Sequence, residues 1–204
     1  MKLALVKIGF WLYMITMVSL DVPLIMQLPE YPTGCESVAT VMVLQYYGFD
    51  IDCETFITKY LDTTNEVYEN VMDDYFLGNP KSYKGWACNP SVICNAVTKY
   101  FNEINEKELS AYDLTGTEFN LLLNELVDDN PVLIWVTIDY VEPYENKGEW
   151  GSFYNPSHTV VLKGFNRDTN EVYINDSLQG DITLPYNEVE DIYNKVGKKS
   201  LVIK

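Results

Sequence analysis

The run Val38-Ala39-Thr40-Val41-Met42-Val43-Leu44 is apolar nearly all round when wound into a helix. A helix of that kind is buried centrally rather than laid on a surface. The chain must therefore enclose it with other elements, which requires a core of some size. Its 204 residues suffice, since one domain of this length buries roughly 70% of its unfolded surface. Thr33 reads as the N-cap of this helix, Glu36 stands at the capping-box spacing, and Gly48 is placed to stop it.

Further helices are expected at about 53–61, 91–101 and 118–127. The acidic tract 50–74 reads as a solvated face without the ligand spacing of a calcium loop. Residues 78–90 read as a loop, rich in Gly, Pro, Asn and aromatics. The second half changes character. Residues 132–138 are β-branched and apolar, and 158–165 and 171–176 read as two more strands. Arg167-Asp168-Thr169-Asn170 between them is turn chemistry, so these two should form a hairpin. Residues 139–156 read as a polar aromatic loop, 186–195 as a helix and 200–203 as a last strand. Helices first and antiparallel strands later is an α+β pattern. No repeat or Gly/Ser linker divides residues 21–204, which are read as one domain.

Charge and counts exclude several functions. The net charge is −16 and the chain has a single Arg, so clustered phosphate contacts to nucleic acid are not expected. A bare anionic membrane should repel it for the same reason. The uncharged segment Ile8 to Leu20, after Lys2 and Lys7, is short of the roughly 20 residues that span a bilayer. It fits the apolar part of a secretory signal, without a clear cleavage site. A signal or anchor, a buried N-terminal element, or an artefact of the assigned start are the three readings of residues 1–20. The first favours an extracytoplasmic location, with the cytoplasm as the alternative. Membrane contact is expected only through this segment, and the domain is read as a monomer. Cys35, Cys53, Cys88 and Cys94 form no CxxC pair, and the single histidine, His158, excludes two-His zinc sites. No metal or cofactor is expected. Cys88 and Cys94 could bridge, but nothing requires it.

The chemistry concentrates on four residues. Taken alone, Cys35 is a small buried hydrophobe. In the first turn of a helix, unpaired N–H groups and the helix dipole favour its thiolate, while Glu36 works weakly against it. His158 opens a strand and can project into a cleft, with Val160 and Leu162 on its face. Asp176 ends the next strand, and the hairpin returns it toward His158, where an acid can orient one imidazole nitrogen. Asn175 is the fallback orienter. Gln27, with the Cys35 N–H, could form an oxyanion hole. Gln, Cys at a helix start, His at a strand start and an acid at the next strand end follow the papain-type order.

At this point the sequence resembles a family. Asp21-Val22-Pro23-Leu24-Ile25-Met26-Gln27 and Pro32-Thr33-Gly34-Cys35-Glu36-Ser37-Val38-Ala39 are similar to the nucleophile segment of bacterial double-glycine (bacteriocin-processing) peptidase-like proteins. These are papain-like cysteine peptidases, cysteine-peptidase family thirty-nine. Gly85-Trp86-Ala87-Cys88-Asn89-Pro90, His158-Thr159-Val160-Val161-Leu162-Lys163-Gly164-Phe165 and Ile174-Asn175-Asp176 continue the likeness. The resemblance implies a papain-like fold, with a buried nucleophile helix in a helical N-terminal part packed on a C-terminal antiparallel sheet. It implies Cys35 as nucleophile, His158 as base and then acid, Asp176 as orienter and Gln27 as oxyanion donor. Where relatives often have Pro after the acid, this chain has Ser177. Gly34, Trp86 and Ser157 are candidate substrate-binding positions, although Trp86 and the aromatics of 140–154 could equally just pack. With no transporter domain attached, bacteriocin export is not implied. The expected activity is a thiol hydrolase cleaving a peptide or amide bond of a peptide or protein substrate. An idle binding module for peptide or cell-wall glycan, and an acyltransferase using the same Cys–His pair, are the alternatives.

Overall fold

The computed structural model describes residues 15–204. The part of the apolar N-terminal segment before residue 15 lies outside the described residues. In chain order the elements are β1 (Met17–Ser19), α1 (Cys35–Tyr46), α2 (Cys53–Thr55) running into a π-helical turn Phe56–Tyr60, and β2 (Thr63–Thr64). Then come α3 (Val71–Asp74), β3 (Phe76–Leu77), α4 (Pro90–Ile104), β4 (Ala111–Asp113) and α5 (Phe119–Val127). The second half holds β5 (Val132–Thr137), β6 (Tyr144–Gly148), β7 (Gly151–Asn155), β8 (Ser157–Asn166), β9 (Glu171–Asp176), β10 (Gly180–Pro185), α6 (Tyr186–Lys195) and β11 (Ser200–Ile203).

The main sheet is antiparallel throughout, in the order β10–β9–β8–β5–β11–β4. Strand β8 is its axis. One edge pairs with β5 over Ser157 to Leu162, and the other with β9. Beyond Leu162, β1 pairs with Gly164 to Asn166 on the edge that β5 has left. The sheet therefore takes in Met17–Ser19, ahead of residue 21, where the sequence placed the domain's start. Helix α1 packs on β8. Val38, Val41, Met42, Val43 and Leu44 are fully buried there, as the all-round apolar run requires. Each such side chain is worth about 1.5–3 kcal/mol of transfer free energy.

The register of β8 against β9 slips between Leu162 and Gly164. Lys163 carries the irregularity, pairing its amine with Asp181 at 2.8 Å. Gly164 is where β1 and β9 close on β8. A Cβ there would stand 2.3 Å from the Val18 carbonyl oxygen and 2.7 Å from the Tyr173 ring. Gly164→Ala should therefore destabilise the protein by about 1–3 kcal/mol through overpacking, read from urea unfolding. An unchanged midpoint would contradict this close approach.

One expectation differs from the structure here, and one open question is answered. Residues 139–156 are not a plain loop: β6 and β7 form a separate two-stranded hairpin there. All four cysteines, including Cys88 and Cys94, are free thiols.

Candidate active site

Helix α1 starts at Cys35 itself, with Gly34 rather than Thr33 as N-cap. Thr33 does other work: its hydroxyl lies 3.1–3.4 Å from the carbonyl oxygens of Asn79, Pro80 and Ser82. It fastens the loop 79–82 against the entry to α1. Gly34 fits a tight turn, since a Cβ there would lie 3.0 Å from Tyr31 Cβ. Cys35 is thus in the first turn, as expected, but by a different local route.

Glu36 is not an exposed capping acid. It is 0% exposed. Its Oε1 accepts the Cys88 N–H at 3.0 Å, and its Oε2 accepts the Cys35 thiol at 3.3 Å. Burial pushes the Glu36 carboxyl up, while the Cys88 N–H, its own N–H, the thiol and the charge of His158 pull it down, leaving it above the ordinary range. Burial also pushes the Cys35 thiol well up, and the Glu36 charge adds to this. The Thr159 N–H works the other way by hydrogen bonding to the sulfur. Desolvation and the adjacent carboxylate thus oppose the thiolate that a helix start favours.

His158, 1% exposed, pairs in register with Val136 near the head of β8. Its Nε2 lies 2.8 Å from Asp176 Oδ1. Extending the register Val161–Asn175 by one places Asp176 opposite Val160. His158 is then the diagonal neighbour on the same face. This leaves Nδ1 as the ring nitrogen open to another partner. The N–H of Thr159, the very next residue, favours the Cys35 thiolate. Asn175 points to the opposite face and donates to the Val22 carbonyl at 2.7 Å; it is not the orienter.

Asp176 Oδ1 also accepts the N–H groups of Leu178 at 2.8 Å and Gln179 at 3.2 Å, and the Tyr140 hydroxyl stands 3.4 Å from Oδ2. Burial pushes this carboxyl up, but the His158 hydrogen bond and charge and the two N–H groups together hold it below the usual range. A lowered pKa adds stability that is complete above the ordinary aspartate value of about 4 and drains as pH falls through the folded value. Asp176→Asn should cost about 1–3 kcal/mol near neutrality, and urea titrations should show parent and variant converging as the pH drops below about 4. A gap independent of pH would contradict the assignment.

Gln27, 2% exposed, is tied to the same strand end. Its N–H donates to the Ser177 carbonyl at 3.0 Å, and its Oε1 accepts the Ser177 hydroxyl at 2.6 Å. Its Nε2 lies 3.2 Å from the carbonyls of both Tyr31 and Pro32. An oxyanion would share that nitrogen with them. Ser177, the departure from the family's Pro, thus couples the Gln27 amide to the residue after Asp176.

Trp86, 42% exposed, stands against Trp150 with ring centroids 4.9 Å apart. The pair lines a cavity of about 140 Å³ with Leu77, Gly78 and Lys84. Its loop abuts the entry to α1, since a Cβ on Gly85 would overlap the Thr33 hydroxyl. Ser157 is half-buried at the head of β8, opposite Thr137. The structure thus brings His158 and Asp176 into contact, packs the helix that begins at Cys35 on the strand that carries His158, and links Gln27 to the Asp176 strand end. Sequence reasoning gave Glu36 a weak effect against the thiolate but not its burial or its hydrogen bonds to the sulfur and Cys88, and it did not assign the parts played by Ser177 and Tyr140. For Glu36 a signal existed: a lone charge beside an all-buried helical run needs a buried partner.

Comparison with known proteins bears on the family and the fold. The chain is 26% identical over 161 residues to the uncharacterized protein YvpB of Bacillus subtilis (strain 168), covering 74% of this chain and 60% of that one. It therefore spans about 60% of the length of this relative. Its fold matches a chain described as a C39-like peptidase from Bacillus anthracis, with a TM-score of 0.78, 24% identity and coverage of 92% of this chain and 97% of that chain. It also matches a double glycine motif protease from an AMS/PCAT transporter, solved in complex with the leader peptide, with a TM-score of 0.54, 22% identity and coverage of 91% of each. The shared fold is the mixed helix and antiparallel sheet of the papain-like peptidases. Residues 19–201 match the Peptidase_C39 like family, and the chain belongs to that family.

Proposed function

We propose that this protein is a cysteine peptidase-like hydrolase that cleaves a peptide or amide bond through Cys35, His158 and Asp176. The observation that carries this is the 2.8 Å contact of His158 Nε2 with Asp176, on the strand against which the helix beginning at Cys35 packs. His158 takes the thiol proton on Nδ1, and the sulfur attacks the carbonyl carbon. The Cys35 N–H, with the Gln27 amide, receives the oxyanion. His158 then protonates the leaving amine, and the acyl group remains on sulfur as a thioester. Water activated by His158 releases it. Asp176 holds the ring orientation and favours the imidazolium.

A peptide occupant is supported by the leader peptide bound to a protease of similar fold. The net charge of −16 favours neutral or basic segments. Incubation with a mixed peptide library, read by mass spectrometry, tests the reading. The parent should release fragments, and acid quenching should trap an acyl adduct on the peptide containing Cys35. Cleavage that survives in Cys35→Ala would overturn it.

A further inference from the structure

We propose that Glu36 is a positioning residue that holds the proton of the Cys35 thiol, so that the nucleophile ionises by transfer to His158 and not by loss of the proton to water. This rests on Cys35 being the nucleophile. Glu36 is the charged group of a helix stretch that is otherwise uncharged from Ser37 to Leu44, and it has no exposed surface. A carboxylate in such a place persists only where hydrogen bonds replace water. Among the described residues it has two such donors outside its own backbone, the Cys88 N–H at 3.0 Å and the Cys35 thiol at 3.3 Å. No Lys, Arg or His pairs with it directly among the described residues.

The groups that face this pair come from several elements. Strand β8 contributes His158 and the Thr159 N–H, with Asp176 of β9 behind His158. The loop before α4 contributes the Cys88 thiol and N–H. The approach to β11 contributes Lys199, whose amine lies 2.8 Å from Asn89 Oδ1 and 4.9 Å from the Phe153 ring centroid. Asp73 and the Cys88 thiol act on that lysine. Lys199 thus stands near Glu36 without neutralising it by contact.

Charge conservation gives Glu36 its effect. With a neutral thiol, neutral imidazole and carboxylate, the trio carries one negative charge. Transfer to His158 breaks the S–H bond, forms an N–H bond and leaves the electron pair on sulfur, and the total stays at one. Loss of the proton to water instead leaves two negative charges in adjacent buried groups, which the low-dielectric surroundings oppose strongly. The carboxylate therefore suppresses thiolate formation that does not involve the imidazole.

The test is the rate of iodoacetamide alkylation of Cys35 against pH. In His158→Ala the reactive form should appear only well above the ordinary thiol value of about 8.5. Glu36→Gln should alkylate at least about tenfold faster than the parent at pH 7, a one-unit downward shift. Adding Glu36→Gln to His158→Ala should restore much of the lost reactivity. A Glu36→Gln profile equal to the parent's, or slower, overturns the proposal. A readout on the unsubstituted side chain covers failure of that variant to fold. The S–H stretching band of Cys35, isolated as the difference between parent and Cys35→Ala, should lie below those of the other three thiols. A band coincident with theirs overturns it equally. Both readouts are independent of any peptide cleavage, so failure of the peptidase reading is seen separately.

Discussion

His158→Ala is expected to lower peptide turnover by about 10⁴- to 10⁶-fold, and combining it with Cys35→Ala should cost almost nothing more. The reason lies in the state of the thiol. Burial and Glu36 hold Cys35 well above its ordinary pKa, so near neutrality the sulfur depends on the imidazole to take its proton. Without His158 neither the attack nor the protonation of the leaving amine has a carrier. Without Cys35 there is no nucleophile for the imidazole to serve. In the proposed mechanism the two act as one unit, so their effects on kcat/KM should not multiply. Measuring both single variants and the double against one substrate checks this. A double variant whose loss equals the product of the two single losses would mean that they act independently.

The second large effect concerns stability. Trp135 of β5 is 1% exposed, and its indole N–H donates to the Cys88 carbonyl at 3.0 Å. The neighbouring Cys88 N–H reaches Glu36. This short piece of backbone therefore spans the gap between the sheet and α1. Trp135→Ala removes a large core side chain and should cost about 3–5 kcal/mol. Trp135→Phe keeps most of the ring but leaves the Cys88 carbonyl without its donor, for about 1–3 kcal/mol. Urea unfolding separates the two contributions. A Trp135→Phe protein as stable as the parent would show that this hydrogen bond contributes nothing net.

Much of this was legible in the chain, for identifiable reasons. The apolar run from Val38 to Leu44 allowed only a central helix. The turn residues Arg167 to Asn170 fixed the β8–β9 hairpin, and with it the return of Asp176 toward His158. Expected and observed bounds coincide for β9, α6 and β11 because each has a clear period and clear ends. The hairpin β6–β7 was missed because β6 lies mostly exposed, β7 is mostly half-buried, and neither carries much apolar alternation. Strand β10 was missed as an edge strand of half-buried and exposed positions ending in Pro185. At the site, residue types pointed to roles but not to partners. Thr33 and Glu36 matched a capping box in spacing, yet the chain spends both on tertiary contacts, to the loop 79–82 and to Cys88. Spacing reports which bonds are locally available. It does not report which long-range partner outcompetes them.

The orientation of the imidazole has a practical consequence. His158 is the one histidine in the sequence, and its Nε2 is committed to Asp176. In a nitrogen-15-labelled sample carrying no affinity tag, a single pair of ring nitrogens contributes to the imidazole region of a long-range correlation spectrum. Tautomer, protonation and the response to a bound peptide can then be followed at the reacting group without resonance assignment. The molecule carries its own spectroscopic probe at the place where its chemistry is expected.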